Sequence, residues 1–332
     1  MPGESKDVAV IVVGRDSAQF LEQTLKSLSA ADWGPYNYEI IYVDNGSKDG
    51  TEAMLQSSFP DVRTIFNSSN LGFCKAANQG ARVANCRLLF FLNDDTVVLD
   101  GAIRKLAEFL DQSDDASVVG SRLLYPDRSE QWSGRRFPTP LNGLLGRRSG
   151  LTRLFPNAKA VRSYLFKDAL AGELPFEVDW VSAAAVMFRS KVFQVAGGFA
   201  EDYYYFHECV ICDRLKKAGH RTFLHPESRI IHYEGFGSGP RPLRVQKWHI
   251  VNFHRGAFRF YCEYKNLPFL SIRRCFAATL ISLRACALLL VKTFTSLRLN
   301  RAGSSGTSNR PEGPTDKDAS MFPQASGISD GD

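Results

Sequence analysis

Short apolar runs alternate with helical stretches over the first 120 residues, and this alternation restricts the possible fold more than any other feature. The runs are rich in Val, Ile and Leu, which is typical of strands buried on both faces. Strands that alternate with helices predict a doubly wound, mostly parallel sheet with helices on both sides. The predicted strands are Val8–Val13, Glu39–Val43, Val62–Phe66, Leu88–Leu92 and Ala116–Val119. The predicted helices are Ser17–Ser29, a short one that starts at Asp49-Gly50-Thr51, one that follows Asn70-Leu71-Gly72-Phe73 and ends at Ala84, and Gly101–Leu110.

Polar clusters follow two of these strands. Asp44-Asn45-Gly46-Ser47 ends the second strand, and Asn93-Asp94-Asp95 ends the fourth. Ligands of doubly wound sheets bind beyond the carboxyl ends of the strands. Carboxylates at the fourth strand would suit a hard cation that neutralises a diphosphate, and Asp44 could accept a hydrogen bond from a pyrimidine N3–H. A polar turn that caps the next helix explains either cluster equally well, so the residues alone leave both interpretations open.

The chain after the fifth strand is less regular. Tyr125–Glu177 is rich in Pro, Gly and Arg without a sustained period, which predicts a long irregular insertion that is functional or mobile. Order is expected to resume at Val178-Asp179-Trp180. The further predicted elements are helices Lys191–Val195 and Glu208–Ala218, strands Arg221–Leu224 and Arg229–His232, and helices Trp248–Tyr264 and Pro268–Leu299. We therefore expect an α/β domain over 1–240, a helical segment over 241–300 and a disordered tail over 301–332.

Charge is unevenly distributed along the chain. The net charge is +6, but Arg241 to Arg301 contains twelve Lys and Arg residues and one acid, Glu263, so this segment carries +11 and the rest −5. The apolar stretch Cys275–Val291 is interrupted by Arg284, which at helical spacing shares one stripe with Arg273 and Arg298. This pattern favours a helix in the membrane interface, with packing on the enzyme body as the alternative. No recognised nucleic-acid motif accompanies the charge, so we expect no nucleic-acid partner.

Cysteine usage and the first residues bear on the compartment. Seven cysteines are scattered, and the pair Cys209 and Cys212 lacks the second pair that a zinc site needs. The odd count favours a reducing compartment. The polar stretch Pro2 to Asp7 runs directly into a strand, so no signal peptide is expected. These features predict a cytoplasmic protein that is peripheral on the inner face of the plasma membrane.

The first turn excludes one class of nucleotide-binding enzyme. Val13-Gly14-Arg15-Asp16 contains a single glycine. A dinucleotide-binding dehydrogenase needs G-x-G-x-x-G at this point so that its backbone can approach the pyrophosphate. The doubly wound sheet therefore does not indicate a dehydrogenase here.

The motifs together resemble glycosyltransferase family 2, and within it the bacterial rhamnosyltransferase-like branch, from Val8 to about Gly239. They are VDNGSKDGT at 43–51, NLGFCKAANQG at 70–80, FLNDDT at 91–96, DWVSAAAVMFRSKVF at 179–193, GGF at 197–199 and IIHYEG at 230–235. The resemblance implies a GT-A fold, with a Rossmann-like, mostly parallel central sheet and flanking helices, followed here by C-terminal amphipathic helices. It also implies inverting transfer of a sugar from a nucleotide diphosphate donor, dTDP-rhamnose or similar, onto a lipid-linked cell-surface polysaccharide precursor.

The resemblance also implies roles for individual residues. The nucleotide sugar would be bound by Asp44, which reads the base, and by Asn70, Gly72, Asn78 and Asp94. A divalent metal, Mg²⁺ or Mn²⁺, would be held by Asn93, Asp95 and His232, of which Asp95 is the principal ligand. The acceptor side would include Asp179, Trp180 and His207.

One segment departs from the family pattern. The helix after GGF usually opens with Glu-Asp, where Asp is the general base, and has another Asp two positions later. Here His207-Glu208 stands at the opening and Val210 replaces the later Asp, so the alignment predicts Glu208 as the base. A carboxylate at a helix N-terminus is favoured in its ionised form. The alternative hypothesis is a catalytically weakened relative that binds a nucleotide sugar or a partner enzyme.

Overall fold

The computed structural model describes residues 6–145, 150–235 and 242–303. The strands are β1 Val8–Gly14, β2 Tyr38–Asp44, β3 Arg63–Phe66, β4 Leu88–Asn93, β5 Thr96–Val98, β6 Ala116–Leu124, β7 Gly134–Arg135, β8 Phe176–Val178, β9 Trp180–Val181, β10 Ala185–Arg189 and β11 Arg221–His232. The main sheet has the strand order β3-β2-β1-β4-β10-β6-β11-β5, with β8 paired to β11, and β7 and β9 form a separate pair. The helices are α1 Ala18–Ser29, α2 Thr51–Ser58, α3 Phe73–Val83, α4 Ala102–Gln112, α5 Gly150–Leu154, α6 Lys159–Tyr164, α7 Lys167–Leu170, α8 Ser190–Val195, α9 His207–Lys217, α10 Leu243–Tyr264 and α11 Ile272–Gly303.

Strand β1 lies in the middle of the parallel part of the sheet. It pairs in parallel with β2 on one side and β4 on the other, and all seven of its residues are buried. Its side chains alternate between two cores: Ala9, Ile11 and Val13 face one, and Val8, Val10 and Val12 face the other. This is why the first apolar run contains no polar residue, and the doubly wound sheet is confirmed.

Two parts of the sheet differ from the sequence-based predictions. Strand β10 was not predicted; it is antiparallel to both β4 and β6, between which it lies. The prediction of two short strands around Arg221–His232 was wrong, because these residues form the single strand β11 with an irregularity between His225 and Arg229. That irregularity lets one strand pair with β6 along its length and also reach β5.

The insertion is more ordered than its composition predicted. It contains β7, a 3₁₀ turn at Asn142–Leu145, the short helices α5, α6 and α7, and part of β8. Buried Phe137 joins it to the core that α10 covers, since its ring lies 5.6 Å from that of Phe260. Helix α10 is therefore anchored to the α/β body by Phe260, which is 1% exposed.

Helix α11 is different from the rest of the chain. Within the described residues, the segment Ile272–Ser296 is long and apolar enough to cross a membrane by length and composition, and 6% of its most apolar stretch is buried. Such a helix is not held by a core of its own. The predicted tail from 304 onward lies outside the described residues.

Candidate active site

The carboxyl ends of β2, β1 and β4 bring two polar clusters to one edge of the sheet. Asp44 at the end of β2 pairs with Gly14 of β1, and Asn93 at the end of β4 pairs with Val13. Since neighbouring strands are about 4.8 Å apart, Asp44 and Asn93 lie about 10 Å apart on either side of β1. A single extended ligand can contact both clusters, which is what a nucleotide joined to a diphosphate requires.

Hydrogen bonds of Thr24 in α1 hold the turn between β4 and β5. The buried Thr24 hydroxyl lies 2.9 Å from the Asp94 carbonyl and 2.8 Å from the Thr96 carbonyl, and it accepts the Thr96 N–H at 3.1 Å. The Thr96 hydroxyl in turn donates to the Asn93 carbonyl at 2.8 Å. These bonds hold the backbone of the Asn93-Asp94-Asp95 turn in one conformation.

Asn93, Asp95 and His232 converge at this turn. His232 Nε2 lies 3.1 Å from Asn93 Nδ2 and 3.2 Å from Asp95 Oδ1. His232 is buried at the end of β11, where it pairs with Thr96 of β5. The antiparallel pairing of β11 with β5 therefore explains how a residue 139 positions after Asn93 in the sequence reaches it.

Gln131, which the sequence did not single out, fixes the proton on His232. Its Nε2 donates to the His232 carbonyl at 2.6 Å, so its Oε1 is the atom that lies 2.9 Å from His232 Nδ1. Because that oxygen can only accept, Nδ1 carries the proton of the neutral ring and Nε2 keeps its lone pair. The Nε2 lone pair then accepts a hydrogen bond from Asn93 Nδ2 at 3.1 Å, and a metal at this position would take the place of that bond. A histidine whose other ring nitrogen is held by a hydrogen bond is typical of metal sites.

The residues at this turn fit a divalent cation. Asp95 Oδ1 is buried and, apart from His232 Nε2 at 3.2 Å, has no polar contact among the described residues, a costly state unless a cation or donor meets it. The described ranges contain no cluster of three or more His, Cys, Asp or Glu suited to a metal, so an Asn93 amide oxygen would have to complete the protein ligands. One carboxylate with few other protein ligands is usual where substrate phosphates supply the rest.

Asp94 points away from its two neighbours. Its carboxylate accepts a hydrogen bond from the Ser17 hydroxyl at the start of α1. A Cβ at Gly14 would lie 2.3 Å from Asp94 Oδ2, so glycine is needed there for the side chain to fit. Burial, with a contribution from the Asp95 charge, raises the pKa of Asp94 to about 7. Asp94 is thus held between the β1 turn and α1, and any part in donor binding would come from that inner position.

Asp44 is built into its own turn. It is 5% exposed and accepts hydrogen bonds from the backbone N–H groups of Gly46 and Ser47 and from the Ser47 hydroxyl. Its carboxylate also lines a cavity of about 370 Å³ between this turn and the start of α2. A carboxylate has about four acceptor positions, so the turn leaves capacity for a base N–H. Asp44 can therefore stabilise its own turn and also accept a hydrogen bond from a nucleotide base.

The loop before α3 is tied to the same turn by a pair of asparagines. Asn45 Nδ2 donates to Asn70 Oδ1 at 3.1 Å, and Asn45 Oδ1 accepts the Leu71 N–H at 3.0 Å. Gly72 ends this loop with φ +84° and no atom within 4 Å of a Cβ position, so the positive φ and not crowding requires glycine. The sequence places Asn45 in the polar cluster after β2 but indicates no role for it, because a buried asparagine in a turn gives no periodic signal.

Asn78 lies away from the open edge. It is buried in α3, where its Oδ1 accepts the Phe199 N–H at 3.0 Å. Its Nδ2 donates to the Phe199 carbonyl at 2.9 Å and to Glu201 at 3.1 Å. These bonds join the turn Gly197-Gly198-Phe199 to α3. Both N–H groups of the amide and one acceptor position of its oxygen are used in them, so we expect any influence of Asn78 on a nucleotide to be exerted through the position of α3.

Glu208 lies in the first turn of α9, close to the start of α3. Its Oε2 is 3.5 Å from His207 Nε2, and its carboxylate is partly exposed. The His207 ring lies 5.1 Å from that of Phe73 and 5.5 Å from that of Phe199. Phe73 is the first residue of α3, next to Gly72. The fold thus places Glu208, the candidate base, near Asn70 and Gly72, which the family resemblance implies in nucleotide binding.

Backbone strain marks the start of α9. Phe206, the residue before the helix, has φ +69°, a conformation that bulky side chains rarely adopt. Strain of this kind persists only where surrounding packing holds it, and it clusters at functional sites. Here Phe206 packs against Phe253 and Phe260 of α10, with ring centroids 5.0 and 6.4 Å apart. Helix α10 therefore supports the position from which Glu208 projects.

Two other carboxylates near the start and on the body of α9, Asp202 and Asp213, are already paired. Asp202 accepts a hydrogen bond from Arg259 at 2.5 Å, and this guanidinium lowers the pKa of Asp202. Asp213 is buried and binds Lys217 at 2.7 Å. A carboxylate whose pKa is lowered by a cation is a weaker base. Glu208 faces no such lysine or arginine among the described contacts.

Asp179 and Trp180 hold the insertion against α9. Asp179 accepts the Phe137 N–H at 2.9 Å and a Lys216 Nζ hydrogen bond at 2.6 Å. Trp180 Nε1 donates to the Arg136 carbonyl at 2.9 Å, and Arg135 stacks 4.2 Å from its ring. Both side chains thus position residues 135–137. Any effect on an acceptor would follow from where the insertion is placed.

Comparison with known proteins identifies the family to which these motifs correspond. The family description Glycosyl transferase family 2 matches residues 7–194. An N-acetylglucosaminyl-diphospho-decaprenol L-rhamnosyltransferase of Mycobacterium tuberculosis is 27% identical over 266 residues, which cover 76% of this chain and 83% of that protein. An O-antigen biosynthesis protein of Myxococcus xanthus is 27% identical over 68% of this chain, although the match covers only 17% of that larger protein.

A solved structure shares the fold. The mannosyltransferase PcManGT from Pyrobaculum calidifontis, in complex with GDP-Man and Mn²⁺, superimposes with a TM-score of 0.55 over 92% of this chain and 78% of its own. Sequence identity is 15%, so the likeness concerns the fold and not the substrate. The predicted GT-A architecture, a mostly parallel sheet with flanking helices and an added C-terminal helix, is confirmed.

Proposed function

This chain belongs to glycosyltransferase family 2 and is a glycosyltransferase, and we propose that it inverts the anomeric centre of a pyrimidine nucleotide sugar while transferring the sugar to a lipid-linked acceptor. The observation that carries the proposal is that Asp44 and the Asn93–Asp95–His232 cluster lie at one edge of the sheet. Glu208 supports it from the first turn of α9, because the neighbouring His207 ring lies 5.1 Å from that of Phe73 at the start of α3. The relative from Mycobacterium, named for a rhamnosyl transfer to a diphospho-decaprenol carrier, supports dTDP-rhamnose as the donor and a lipid diphosphate as the acceptor.

The reaction exchanges one bond for another at the anomeric carbon. The acceptor hydroxyl attacks from the face opposite the diphosphate, the carbon–oxygen bond to the diphosphate breaks, and Glu208 takes the hydroxyl proton. General-base help of this kind contributes about 10²–10⁴-fold. Asp44 and the Asn45–Asn70 pair hold the nucleotide so that its anomeric carbon faces α9. Asn93, Asp95 and His232 would hold Mg²⁺ or Mn²⁺, which when bound neutralises charge on the leaving diphosphate.

Membrane contact is the second part of the proposal. The exposed apolar side chains of α11 and the +11 charge of residues 241–301 suit a surface of anionic lipid. A lipid-linked acceptor would bring the enzyme to such a surface. We therefore place the protein on the inner face of the plasma membrane, without nucleic acid as a partner.

A transfer assay separates this function from that of a weakened relative. The full chain is incubated with dTDP-rhamnose and other pyrimidine nucleotide sugars, a prenyl-diphosphate-linked N-acetylglucosamine, and Mn²⁺ or Mg²⁺. We expect a glycosylated product whose anomeric configuration is inverted, and slow donor hydrolysis when the acceptor is omitted. A donor that raises the melting temperature by mass action, yet is neither transferred nor hydrolysed, would favour the weakened relative instead.

A further inference from the structure

A groove of about 390 Å³ in the insertion carries more positive than negative charge. Its charged lining is Arg136, Lys159, Arg162 and Asp168, and the ring of Phe166 also borders it. We call these five residues the basic groove. With three cations and one carboxylate, the lining has a net charge of +2, and none of its residues belongs to the strand-end site.

The pairing inside the basic groove leaves two cations uncompensated. Arg162 donates to Asp168, the one carboxylate of the lining. The Arg136 guanidinium lies 4.7 Å from the Phe166 ring, and within the described part of the chain neither it nor Lys159 has a carboxylate partner. On an ordinary solvated surface, cations are interspersed with acids. Two unpaired cations around a concave surface instead make a focus of positive potential.

Aromatic packing connects the basic groove to the start of α9. Phe137, the residue after Arg136, has its ring 5.6 Å from that of Phe260 in α10. The Phe260 ring lies 6.4 Å from that of Phe206, two residues before Glu208. Helix α10 also contacts α11, since the Arg274 guanidinium lies 5.6 Å from the Phe258 ring.

The basic groove is thus connected through α10 both to the start of α9, where Glu208 lies, and to the apolar helix α11. A lipid-linked sugar diphosphate has the same order of parts: a sugar hydroxyl to be activated, a diphosphate and an apolar chain. Arginine and lysine are the usual phosphate ligands, arginine as a two-pronged donor and lysine as a point charge. The exposed apolar residues of α11, such as Phe276 and Leu283, offer an apolar surface for the lipid chain.

We propose that the basic groove binds the diphosphate of the acceptor, through Arg136 and Lys159, and so sets the distance between the acceptor sugar and Glu208. The inference rests on the proposed function in one respect, the lipid-linked acceptor. Diphosphate is also present in the nucleotide that leaves after transfer, so the experiment must distinguish the two sources.

The first test measures binding without catalysis. Calorimetry of the full chain in EDTA, which keeps metal from the strand-end site, compares inorganic diphosphate, farnesyl diphosphate in detergent and dTDP. We expect both acceptor-like probes to bind, and Lys159→Glu and Arg136→Gln each to weaken them about tenfold, the loss of roughly one charge-assisted hydrogen bond. Arg153→Glu, an exposed charge change in the same insertion outside the groove, should bind like the wild type.

The second test measures turnover. In the variants the KM for the lipid-linked acceptor should rise by about the same factor, while donor KM and donor hydrolysis stay unchanged. Unaltered probe binding and unaltered acceptor KM in both variants would overturn the proposal. So would equal weakening of dTDP, which would assign the groove to the leaving nucleotide. A wild type that binds the probes but does no transfer would count against the proposed function and leave the groove supported.

Discussion

The α/β body and helix α11 use apolar residues in opposite ways. In the body, β1 buries every residue, and buried polar side chains such as Asn78 and Gln131 have hydrogen-bond partners. In α11, Leu290 is 58% exposed and Phe294 is 62% exposed. Burying such side chains is worth about 1.5–3 kcal/mol each, which is why we propose that α11 meets an apolar partner. The body is packed around its own core, whereas α11 leaves many of its described apolar side chains exposed.

Charge separates the same two regions. The segment from 241 to 301 carries +11, and the remainder of the chain carries −5. Residues 1–240 carry only −2 and the tail after residue 301 carries −3, so the body is nearly neutral, while the C-terminal segment would bind an anionic surface. Helix α10 lies between them, since Phe260 is part of the body's core although its segment is basic. A change in the body should therefore alter chemistry, and a change in α11 should alter location.

The largest effect is expected at Glu208. Glu208→Gln removes the proton acceptor and should reduce turnover by about 10²–10⁴-fold, with little change in donor affinity because the base contacts the acceptor. Glu208→Asp should keep part of the activity, since it retains the carboxylate with a shorter reach. The measurement is steady-state turnover with donor binding by calorimetry.

Asp202→Asn is the matched control for Glu208, because Asp202 is a carboxylate in the preceding loop that is paired with Arg259. It should keep near-normal turnover. Loss of turnover in Asp202→Asn together with normal turnover in Glu208→Gln would move the base to that loop.

Asp95→Ala should abolish metal-dependent donor binding while the fold persists. The unpartnered Oδ1 is the reason, because it is the oxygen best placed for a cation beside His232. The loss should exceed the roughly 10–100-fold typical of residues that only orient a ligand. Calorimetry with donor and Mn²⁺ measures it, and circular dichroism monitors the fold. Donor affinity that is unchanged and still metal-dependent would remove Asp95 from the cation site.

Gln131→Met should weaken Mn²⁺ binding by about 10–100-fold, the usual effect of removing a partner that orients a metal ligand. Methionine has a similar volume but cannot hold the proton on His232 Nδ1. The ¹⁵N spectrum of His232 in the metal-free protein should therefore shift from the Nδ1–H form toward the Nε2–H form. An unchanged ring spectrum would show that the tautomer is set by something other than Gln131.

The smallest effect is expected for the removal of α11, which tests the comparison between α11 and the α/β body. Truncation after Leu267 removes α11 but retains α10, whose Phe260 packs against Phe206 of the body. We expect the truncated protein to float with anionic liposomes less than the full chain, and high salt to weaken flotation because attraction to lipid is screened within about 10 Å at 0.1 M salt. Equal recovery of both proteins with lipid would contradict a membrane role for α11.

The parallel part of the fold was predictable because its signals are local. The apolar runs that end at Asp44 and Asn93 are buried strands, and each polar cluster comes directly after its strand in the sequence. Such a strand can be predicted from its own hydrophobicity and from the helix that follows it in the sequence. Strand β10 was missed because its pairing is antiparallel and joins Met187 to both Phe90 and Val119, far away in the sequence.

The sequence by itself determined the doubly wound sheet, the polar residues at its edge and the basic, apolar C-terminal segment, because each depends on residues near one another in the chain. Only the tertiary structure decided which side chains meet: Gln131 behind His232, Asp94 turned toward Ser17, and Glu208 beside the start of α3. These contacts join residues from separate strands, helices and the insertion. They arise when the sheet closes around its two cores, and no local pattern of residues encodes them.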